Sequence, residues 1–294
     1  MSRFKSGFEG VLTAMITPFR ADGSLDLPAA RALARRQVEG GAHGVVVAGT
    51  SGESPTLDDD EQISLLDAIL EEVGDEMVVI CGTGTNDTRH TVALTARAAA
   101  AGAHGALVVA PYYNKPNPAG LRAHFAAVAS ACDLPIILYN IPSRCVINMP
   151  PPFLAELAAE HATIVAVKQA NNDELAPIPG LDLLAGNDEI FLRTLELGGT
   201  GGICVASNLV PARLRAIFDA QRAGDAAEAS RLDAEMATLY EAMAVAVNPI
   251  PVKAASEMLG LCGPTVRLPL VVADVAERTA IEAVLGTLDL PASI

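Results

Sequence analysis

Eight short apolar runs, spaced at regular intervals along most of the chain, constrain its fold more than any other feature of the sequence. Each run is rich in valine, isoleucine, leucine and alanine. A continuous run of this kind is typical of a strand that is buried on both faces of a parallel sheet. The predicted strands cover residues 11–18, 44–49, 78–84, 106–113, 136–141, 164–169, 183–187 and 202–207.

Helical stretches lie between and after these runs. Prolines near the first helical position and aspartates in the first turn mark several of their starts. The predicted helices cover residues 28–40, 57–73, 88–101, 120–132, 152–160, 172–177, 189–198 and 211–223. Eight strands, each followed by a helix, predict an α/β fold of the (β/α)8 TIM-barrel type.

A doubly wound sheet is the competing fold. Such sheets usually have fewer strands, and those that bind dinucleotides carry a G-x-G-x-x-G turn after the first strand. Here the first predicted strand ends in Thr17-Pro18-Phe19, and the Gly82-Thr83-Gly84 stretch lacks the third glycine. The barrel is therefore the preferred prediction.

A short repeat supports the same alternation. The motif Gly-Ala-His-Gly at residues 41–44 recurs at residues 102–105, and a looser copy stands at residues 198–202. Each copy follows a helical stretch and opens an apolar run, so we interpret it as a glycine that stops a helix before a buried strand. His43 and His104 therefore fall at strand starts, where we expect structural caps and not catalytic bases.

The pattern changes after Gly224. A long alanine-rich helix is predicted at residues 225–247, a break at 248–251, and further helices at 252–259 and 272–286. We therefore predict a catalytic barrel over residues 1–224 and a C-terminal helical domain over residues 225–294. The apolar faces of these helices must pack on the barrel or on another subunit.

Composition limits the possible partners. The formal net charge of −15 argues against nucleic acids and anionic membranes as partners. The sequence contains neither an apolar run of membrane-spanning length nor a signal-peptide pattern. The five cysteines form no C-x-x-C pair, which favours reduced thiols in a soluble, cytoplasmic protein. The predicted strand ends bear no histidine and no carboxylate cluster, so we expect no metal site.

Lys168 is the first candidate for a catalytic residue. It closes the apolar run at residues 163–167, whereas Lys5, Lys115 and Lys253 lie in a polar arm, a loop and a predicted helix. Burial disfavours the charged form of an amine, and a neutral lysine amine can attack a carbonyl to form a Schiff base. The other interpretation is a lysine that snorkels from a strand end to solvent.

Polar residues collect where the predicted strands end, which is where TIM barrels carry their catalytic side chains. Three of the four tyrosines are among them. With no histidine at these ends, proton transfer falls to tyrosine, threonine and serine hydroxyls, which suit an imine mechanism. These polar ends are residues 49–54, 111–114, 139–144, Lys168 and residues 186–188.

Three blocks together resemble a known family. They are Gly-Thr-Ser-Gly-Glu-Ser at residues 49–54, Tyr-Asn-Ile-Pro at 139–142 and Val-Ala-Val-Lys at 165–168. In this order they resemble the signatures of the dihydrodipicolinate synthase/N-acetylneuraminate lyase family of pyruvate-dependent class I aldolases, over about residues 10–269. Residues 111–116, 143–144 and 248–253 are similar to the synthase branch.

The resemblance implies a reaction and a set of roles. Enzymes of the synthase branch condense pyruvate with L-aspartate 4-semialdehyde to 4-hydroxy-tetrahydrodipicolinate in diaminopimelate and lysine biosynthesis. The imine on lysine serves in place of a cofactor, and the enzymes are homo-oligomers, dimers or tetramers. The resemblance implies that Lys168 forms the Schiff base and that Tyr139 shuttles protons. It implies a hydroxyl relay made by Thr50 or Ser51 together with Tyr113, which the second subunit of a dimer would supply. It also implies that Arg144 binds the substrate carboxylate and that Gly186 and Ile203 form pocket walls.

The chain departs from the family pattern at several positions, and these bear on the choice of substrate. They are Ser51 where threonine is usual, Gln169 where an acidic residue is common, Cys145 where threonine is frequent, and Asn187-Asp188 where two aspartates are frequent. The same-fold alternative is an aldolase or dehydratase of a 2-keto-3-deoxy sugar acid, of the N-acetylneuraminate lyase or 2-keto-3-deoxygluconate aldolase type. A catalytically silent binding barrel is a third hypothesis.

The resemblance also implies a regulatory site for lysine at a dimer interface. Matching positions include Ser54, Asn86, His90 and Tyr112. Lysine-sensitive members commonly have histidines where Asp59 and Gln62 stand, and a glutamate where His90 stands. A cationic effector needs acceptors or anions around its amines, so we expect weak or absent inhibition by lysine.

Overall fold

The computed structural model describes residues 8–287. Within this range eight parallel strands pair in chain order, and the eighth returns to the first, which closes a barrel. All eight predicted strands are present, and the (β/α)8 prediction is confirmed. The strands are β1 Gly10–Ala14, β2 Gly44–Val47, β3 Val78–Gly82, β4 Gly105–Val109, β5 Ile136–Asn140, β6 Ile164–Gln169, β7 Asp182–Ala185 and β8 Gly201–Cys204.

The helices follow the predicted alternation with three differences. Most predicted helices lie within a few residues of the observed ones, and the helix at Thr88–Ala101 matches fully. The helices are α1 Leu27–Glu39, α2 Asp59–Val73, α3 Thr88–Ala101, α4 Pro118–Ala129, α5 Pro142–Cys145, α6 Pro151–Glu160, α7 Phe191–Glu196, α8 Pro211–Arg222, α9 Ala226–Ala234, α10 Ala237–Ala242, α11 Ile250–Met258 and α12 Val275–Leu285.

The first difference follows β6. The helix predicted at residues 172–177 is wrong, because only a 3-10 turn at Asn172–Glu174 forms there. Pro177 and Pro179 follow this turn, and a proline supplies no N–H for a helical hydrogen bond. The Asn172 side chain instead bonds Asn187 across the next connection, at 2.8 Å.

The other two differences concern the number of helices. The single helix predicted at residues 225–247 is two helices, because the chain turns at Glu235 and Met236 and the Met236 side chain enters the core. The short helix α5 was not predicted. It carries Arg144, so a residue expected at the end of a strand lies on a helical turn of its own.

The repeated motif has a steric explanation. Its first glycine, at positions 41, 102 and 198, has a positive φ of 74°, 96° and 86°, a backbone region that glycine adopts without strain. Its later glycine opens a strand at a close approach. A Cβ on Gly201, for example, would lie 2.1 Å from the carbonyl oxygen of Gly10, its partner in β1.

The motif histidines act as strand caps, as predicted. Nδ1 of His43 accepts a hydrogen bond from the Val11 amide at 3.0 Å, and Nδ1 of His104 accepts one from the Val79 amide at 3.0 Å. Burial lowers the pKa of both imidazoles. The neutral form, whose ring nitrogen can accept, is therefore the one suited to these positions.

The C-terminal helices share the core of the barrel. Buried Met236, Leu239, Ala255 and Ile281 belong to the same apolar cluster as the strand residues, and α9 packs along α8. The domain boundary at residue 224 stays a prediction, and residues 288–294 of the second predicted domain lie outside the described residues. None of the described helices combines the length and apolar character needed to cross a membrane.

The closure of the barrel between β1 and β8 gives a stability prediction. Gly201→Ala should lower the free energy of unfolding by about 1–3 kcal/mol, because the added methyl group meets backbone and not a movable side chain. Urea unfolding followed by circular dichroism measures the change. Gly263→Ala is the matched control, since its Cβ would find its nearest neighbour, the Phe19 carbonyl oxygen, at 3.8 Å. Equal stability of the two variants would contradict the steric account.

Candidate active site

A cavity of about 160 Å³ opens at the carboxyl ends of the strands. Its lining includes seven of the eight side chains and glycines that the sequence predicted for catalysis or substrate binding. These seven are Thr50, Ser51, Tyr139, Arg144, Lys168, Gly186 and Ile203. The barrel thus brings together residues from five of its eight strands and the connections that follow them.

Lys168 and Tyr139 form the centre of the cavity. They are register partners on the neighbouring parallel strands β6 and β5, so their side chains leave the sheet on the same face. Both residues are only 4% exposed. The Lys168 Nζ lies 4.4 Å from the centroid of the Tyr139 ring, within the range of a cation–π contact.

The next register pair, Asn140 and Gln169, faces away from the cavity. A hydrogen bond between these two side chains holds the ends of β5 and β6 together. The Asn140 Nδ2 donates to the Gln169 Oε1 at 3.0 Å and to the Asn148 Oδ1 at 2.9 Å. The Gln169 Oε1 also accepts from the Asn171 amide at 3.1 Å. This buried amide network therefore fixes the register that places Lys168 beside Tyr139.

The loop after β2 supplies the hydroxyl groups. The Ser51 Oγ accepts a hydrogen bond from the Asn248 Nδ2 at 3.0 Å. The Arg144 Nη2 reaches the backbone oxygen of Asn248 at 3.4 Å. Asn248 therefore joins the serine hydroxyl to the guanidinium at the cavity mouth. The sequence had placed Asn248 in a family-like block without assigning it to the site.

The wall formed by β7 and β8 is closely packed. A Cβ on Gly186 would lie 2.6 Å from the Gln169 carbonyl oxygen, so only glycine fits there without a backbone shift. Ile203 is 1% exposed and presents an apolar surface. Gly186 thus holds the backbone of β7 against the end of β6.

Asp188 is a cavity residue that the sequence did not assign. It is buried, and its carboxylate accepts hydrogen bonds from the amides of Val205 at 2.8 Å and Ala206 at 3.0 Å. Burial, the largest influence, raises the pKa of this carboxyl to about 6, although the two amides act in the opposite direction. Its contacts tie the connection after β7 to the connection after β8.

The C-terminal helices form one side of the cavity, which the sequence also did not reveal. Tyr240, Met243 and Ala244 line it together with Asn248. The Tyr240 hydroxyl donates to the Asp233 carboxylate at 3.2 Å, and burial raises the pKa of the phenol well above its usual value. Tyr240 was the one tyrosine outside the predicted strand ends, and its helical setting gave no sign that it faces a site.

Tyr113 does not line the cavity. It is 87% exposed and has a left-handed φ of 72°. It borders a separate, largely apolar groove that reaches the cavity at Thr50, Arg144 and Asn248. Within one chain, therefore, the eighth predicted residue stands apart from Lys168.

The four predicted regulatory residues do come together. Ser54, Asn86, His90 and Tyr112 line a second cavity of about 150 Å³. At its edge the His90 Nε2 lies 2.7 Å from one oxygen of Asp59, and an Arg97 nitrogen lies 3.6 Å from the other. The Gln62 Oε1, also in this lining, is buried without a hydrogen-bond partner. Asp59 is thus already occupied by two basic groups.

The arrangement favours carbonyl chemistry. A buried lysine amine lies beside a phenol and shares its cavity with two hydroxyl-bearing residues, and an exposed guanidinium stands at the entrance. Such an amine suits imine formation, and such a guanidinium suits the two oxygens of a carboxylate. Among the described residues, no three histidine, cysteine, aspartate or glutamate side chains are grouped so as to hold a metal ion.

Comparison with known proteins gives a consistent result. Residues 7–288 match the model of the Dihydrodipicolinate synthetase family. The 4-hydroxy-tetrahydrodipicolinate synthase of Moorella thermoacetica is 45% identical over 283 residues, which cover 94% of this chain and 96% of the relative.

Solved structures agree with the sequence comparison. Dihydrodipicolinate synthase from Aquifex aeolicus superimposes with a TM-score of 0.94 at 37% identity, over 98% of this chain and 100% of that one. The corresponding enzyme from Cyanidioschyzon merolae, solved with lysine bound, gives a TM-score of 0.91 at 37% identity, over 95% and 97% of the two chains.

Proposed function

The chain belongs to the dihydrodipicolinate synthetase family, and on that premise we propose that it condenses pyruvate with L-aspartate 4-semialdehyde to 4-hydroxy-tetrahydrodipicolinate, in diaminopimelate and lysine biosynthesis. The observation that carries the proposal is the site itself. A buried amine, a phenol 4.4 Å from it and a guanidinium at the mouth occupy one cavity. The family match and the named relatives favour this reaction over cleavage of a sugar acid.

The chemistry follows from the positions of the groups. The Lys168 amine attacks the C2 carbonyl of pyruvate and, with loss of water, forms an imine that takes the place of a cofactor. Loss of a C3 proton gives an enamine, whose C3 forms the new carbon–carbon bond with the aldehyde carbon. The amine of the second substrate then attacks C2, which closes the ring and releases Lys168.

Proton transfer is assigned to hydroxyl groups. Tyr139 packs against Lys168 and is the shuttle, and Thr50 and Ser51 continue the relay along the loop after β2. Because Tyr113 is 87% exposed beside the groove that joins the cavity, it is assigned to the same relay in a second copy of the chain. This assignment requires a homo-oligomer in which the grooves of two copies face each other, as in a dimer or a tetramer built from dimers.

Arg144 is assigned to the carboxylate of the aldehyde substrate. Its short helix places the guanidinium at the mouth, where a second substrate arrives after pyruvate has reacted with the lysine. The planar fork of arginine matches two carboxylate oxygens, which a lysine ammonium does not. A sugar acid with several hydroxyl groups has less use for a guanidinium at this position.

Turnover by purified protein tests the proposed function directly. Pyruvate with L-aspartate 4-semialdehyde should support continuous consumption of both substrates. Cleavage of N-acetylneuraminate or 2-keto-3-deoxygluconate should be far slower in the same preparation. Efficient cleavage of a sugar acid without condensation of the semialdehyde would replace the proposal with the same-fold alternative, and activity with none of them would favour a silent barrel.

Covalent trapping tests the role of Lys168. Pyruvate with borohydride should add one pyruvyl group per chain at this residue, because its amine is buried at the carboxyl end of a strand and faces the cavity. Intact-mass analysis and peptide mapping locate the adduct. Lys168→Ala should abolish it and most turnover, whereas Lys115→Met, in an exposed loop, should leave both unchanged. An adduct on another lysine would contradict the assignment.

The substitution Arg144→Lys tests the choice of aldehyde. It keeps the positive charge but loses the fork, so the KM for the aldehyde should rise more than the KM for pyruvate. Steady-state kinetics with each substrate varied in turn measures both. Equal increases would show that Arg144 is a structural residue and would weaken the synthase assignment relative to the sugar-acid alternative.

The second cavity gives a prediction on regulation. L-lysine at millimolar concentration should change turnover little, because the Asp59 carboxylate is already engaged by His90 and Arg97 and a cationic ligand lacks a free anion there. His90→Glu introduces the acidic residue typical of sensitive relatives and should increase sensitivity. Inhibition of the unaltered protein below millimolar lysine would show that other groups, such as the unpartnered Gln62 oxygen, complete the site.

A further inference from the structure

A fully buried ion pair lies beneath the loop that carries the site hydroxyls. Lys253, 0% exposed, donates from its Nζ to the Glu53 Oε1 and, at 2.7 Å, to the Thr265 carbonyl oxygen. The Glu53 Oε2 accepts from the Arg267 amide at 2.9 Å. The Lys253 ammonium also lies 4.2 Å from the centroid of the Phe19 ring. Both charges are therefore paired and hydrogen-bonded.

This ion pair is a costly way to hold two segments together. Moving both charges out of water opposes their mutual attraction, and a well-packed apolar pair of similar size is often equally stable or more so. Burial accordingly lowers the pKa of Lys253, although Glu53 acts in the opposite direction. What the pair provides beyond stability is a fixed geometry, since hydrogen bonds specify direction and apolar contacts do not.

One end of the pair fixes the hydroxyl loop. Glu53 comes two residues after Ser51 and has a left-handed φ of 56°, which is unfavourable for a residue with a side chain. Its amide donates to the Thr50 carbonyl oxygen at 3.1 Å, so it closes the turn that presents Thr50 and Ser51 to the cavity. The Glu53 side chain holds this strained turn from below.

The other end fixes the C-terminal segment. Lys253 lies in α11, and its amide donates to the Pro249 carbonyl oxygen at 3.0 Å. Asn248, the residue before that proline, donates from its side chain to the Ser51 Oγ at 3.0 Å. The hydroxyl loop and residues 248–253 are therefore linked twice, at the cavity by Asn248 and Ser51 and beneath it by Lys253 and Glu53.

We propose that Glu53 and Lys253 are positioning residues for the reaction assigned above, holding Asn248 against Ser51 so that the hydroxyl relay is correctly oriented. The inference rests on the proposed function and deepens it. Neither residue is assigned a contact with a reacting atom, and both act through the loop and the segment that they join. Misplacement of reacting groups by about 1 Å is enough to slow an enzyme by roughly 100-fold.

The test compares stability with turnover in three variants: Glu53→Gln, Lys253→Met and the double variant. Each single variant leaves one buried charge unpaired and should lower both the melting temperature and kcat. The double variant leaves no charge unpaired and should recover part of the lost melting temperature, although the Thr265 carbonyl oxygen still lacks its donor. Its kcat should stay about 10- to 100-fold low, with the KM for pyruvate little changed. Recovery of kcat together with stability, or failure of the double variant to fold, would overturn the proposal.

A second measurement asks whether the pair acts through Asn248. If it does, Asn248→Ala and the double variant should not have additive effects on kcat, because each removes the same restraint on Ser51. Additive losses would mean that the pair acts by another route and would overturn the inference. Glu257→Gln is the control, since it breaks the ion pair between Glu257 and Arg278 on the outer side of the same segment and should leave kcat unchanged.

Failure of this inference is distinguishable from failure of the proposed function. Condensation of pyruvate with the semialdehyde by the unaltered protein, and trapping of pyruvate on Lys168, are measured first. If both measurements succeed but the losses in kcat of Asn248→Ala and of the double variant are additive, the assigned reaction is supported and the positioning role is wrong. If the unaltered protein does not carry out the condensation, the assigned reaction is wrong and the positioning role built on it falls as well.

Discussion

The register between β5 and β6 is the constraint on which the site depends. Because Tyr139 and Lys168 are register partners, their side chains emerge on one face at the same level, and the phenol ring lies 4.4 Å from the amine. A shift of either strand by one residue would turn that strand's side chain, the phenol or the amine, toward the surrounding helices and separate the two groups. The amide network around Asn140 and Gln169 opposes such a shift, since it pairs the next residues on the opposite face. The Gln169 carbonyl oxygen supplies the acceptor that the Asn140 side chain and the Asn171 amide share.

Close backbone contacts at the other end of the barrel support that register from below. Gly201 and Gly10 pair where β8 returns to β1. The imidazoles of His43 and His104 accept hydrogen bonds from backbone amides near the starts of neighbouring strands. These positions explain why glycine and histidine recur in the repeated motif. The motif lies where strands begin, whereas the candidate catalytic groups lie where strands end, at the opposite end of the same barrel.

Local patterns were sufficient to predict the strands, most helices and the polar strand ends that contain six of the cavity residues, because strand burial and chain order determine which ends meet. The seventh, Ile203, was expected only from the family resemblance. The missed features depend on long-range contacts. Nothing in the sequence near Tyr240 indicates that it faces the cavity, since it lies on a helix of the C-terminal segment. Asp188 stands at a polar strand end, but no local pattern indicates that its carboxylate binds the amides of the connection after β8. The helix predicted at residues 172–177 fails for a local reason, because one proline lies at its end and a second just beyond it. A stricter treatment of helix stops detects both. The position of Tyr113 relative to a second copy stays a prediction.

The two buried lysines show why sequence position alone does not define a catalytic amine. Lys168 and Lys253 are both almost inaccessible, and both lie near an aromatic ring, Tyr139 and Phe19 respectively. They differ in their oxygen partners. Lys253 is engaged by Glu53 and by the Thr265 carbonyl oxygen, whereas within residues 8–287 no carboxylate lies within ion-pair distance of Lys168. The Lys253 amine links two segments of the chain, and the Lys168 amine faces the cavity. Under the proposed function, one buried lysine orients the site and the other reacts in it. The distinction rests on which of them has a carboxylate within ion-pair distance.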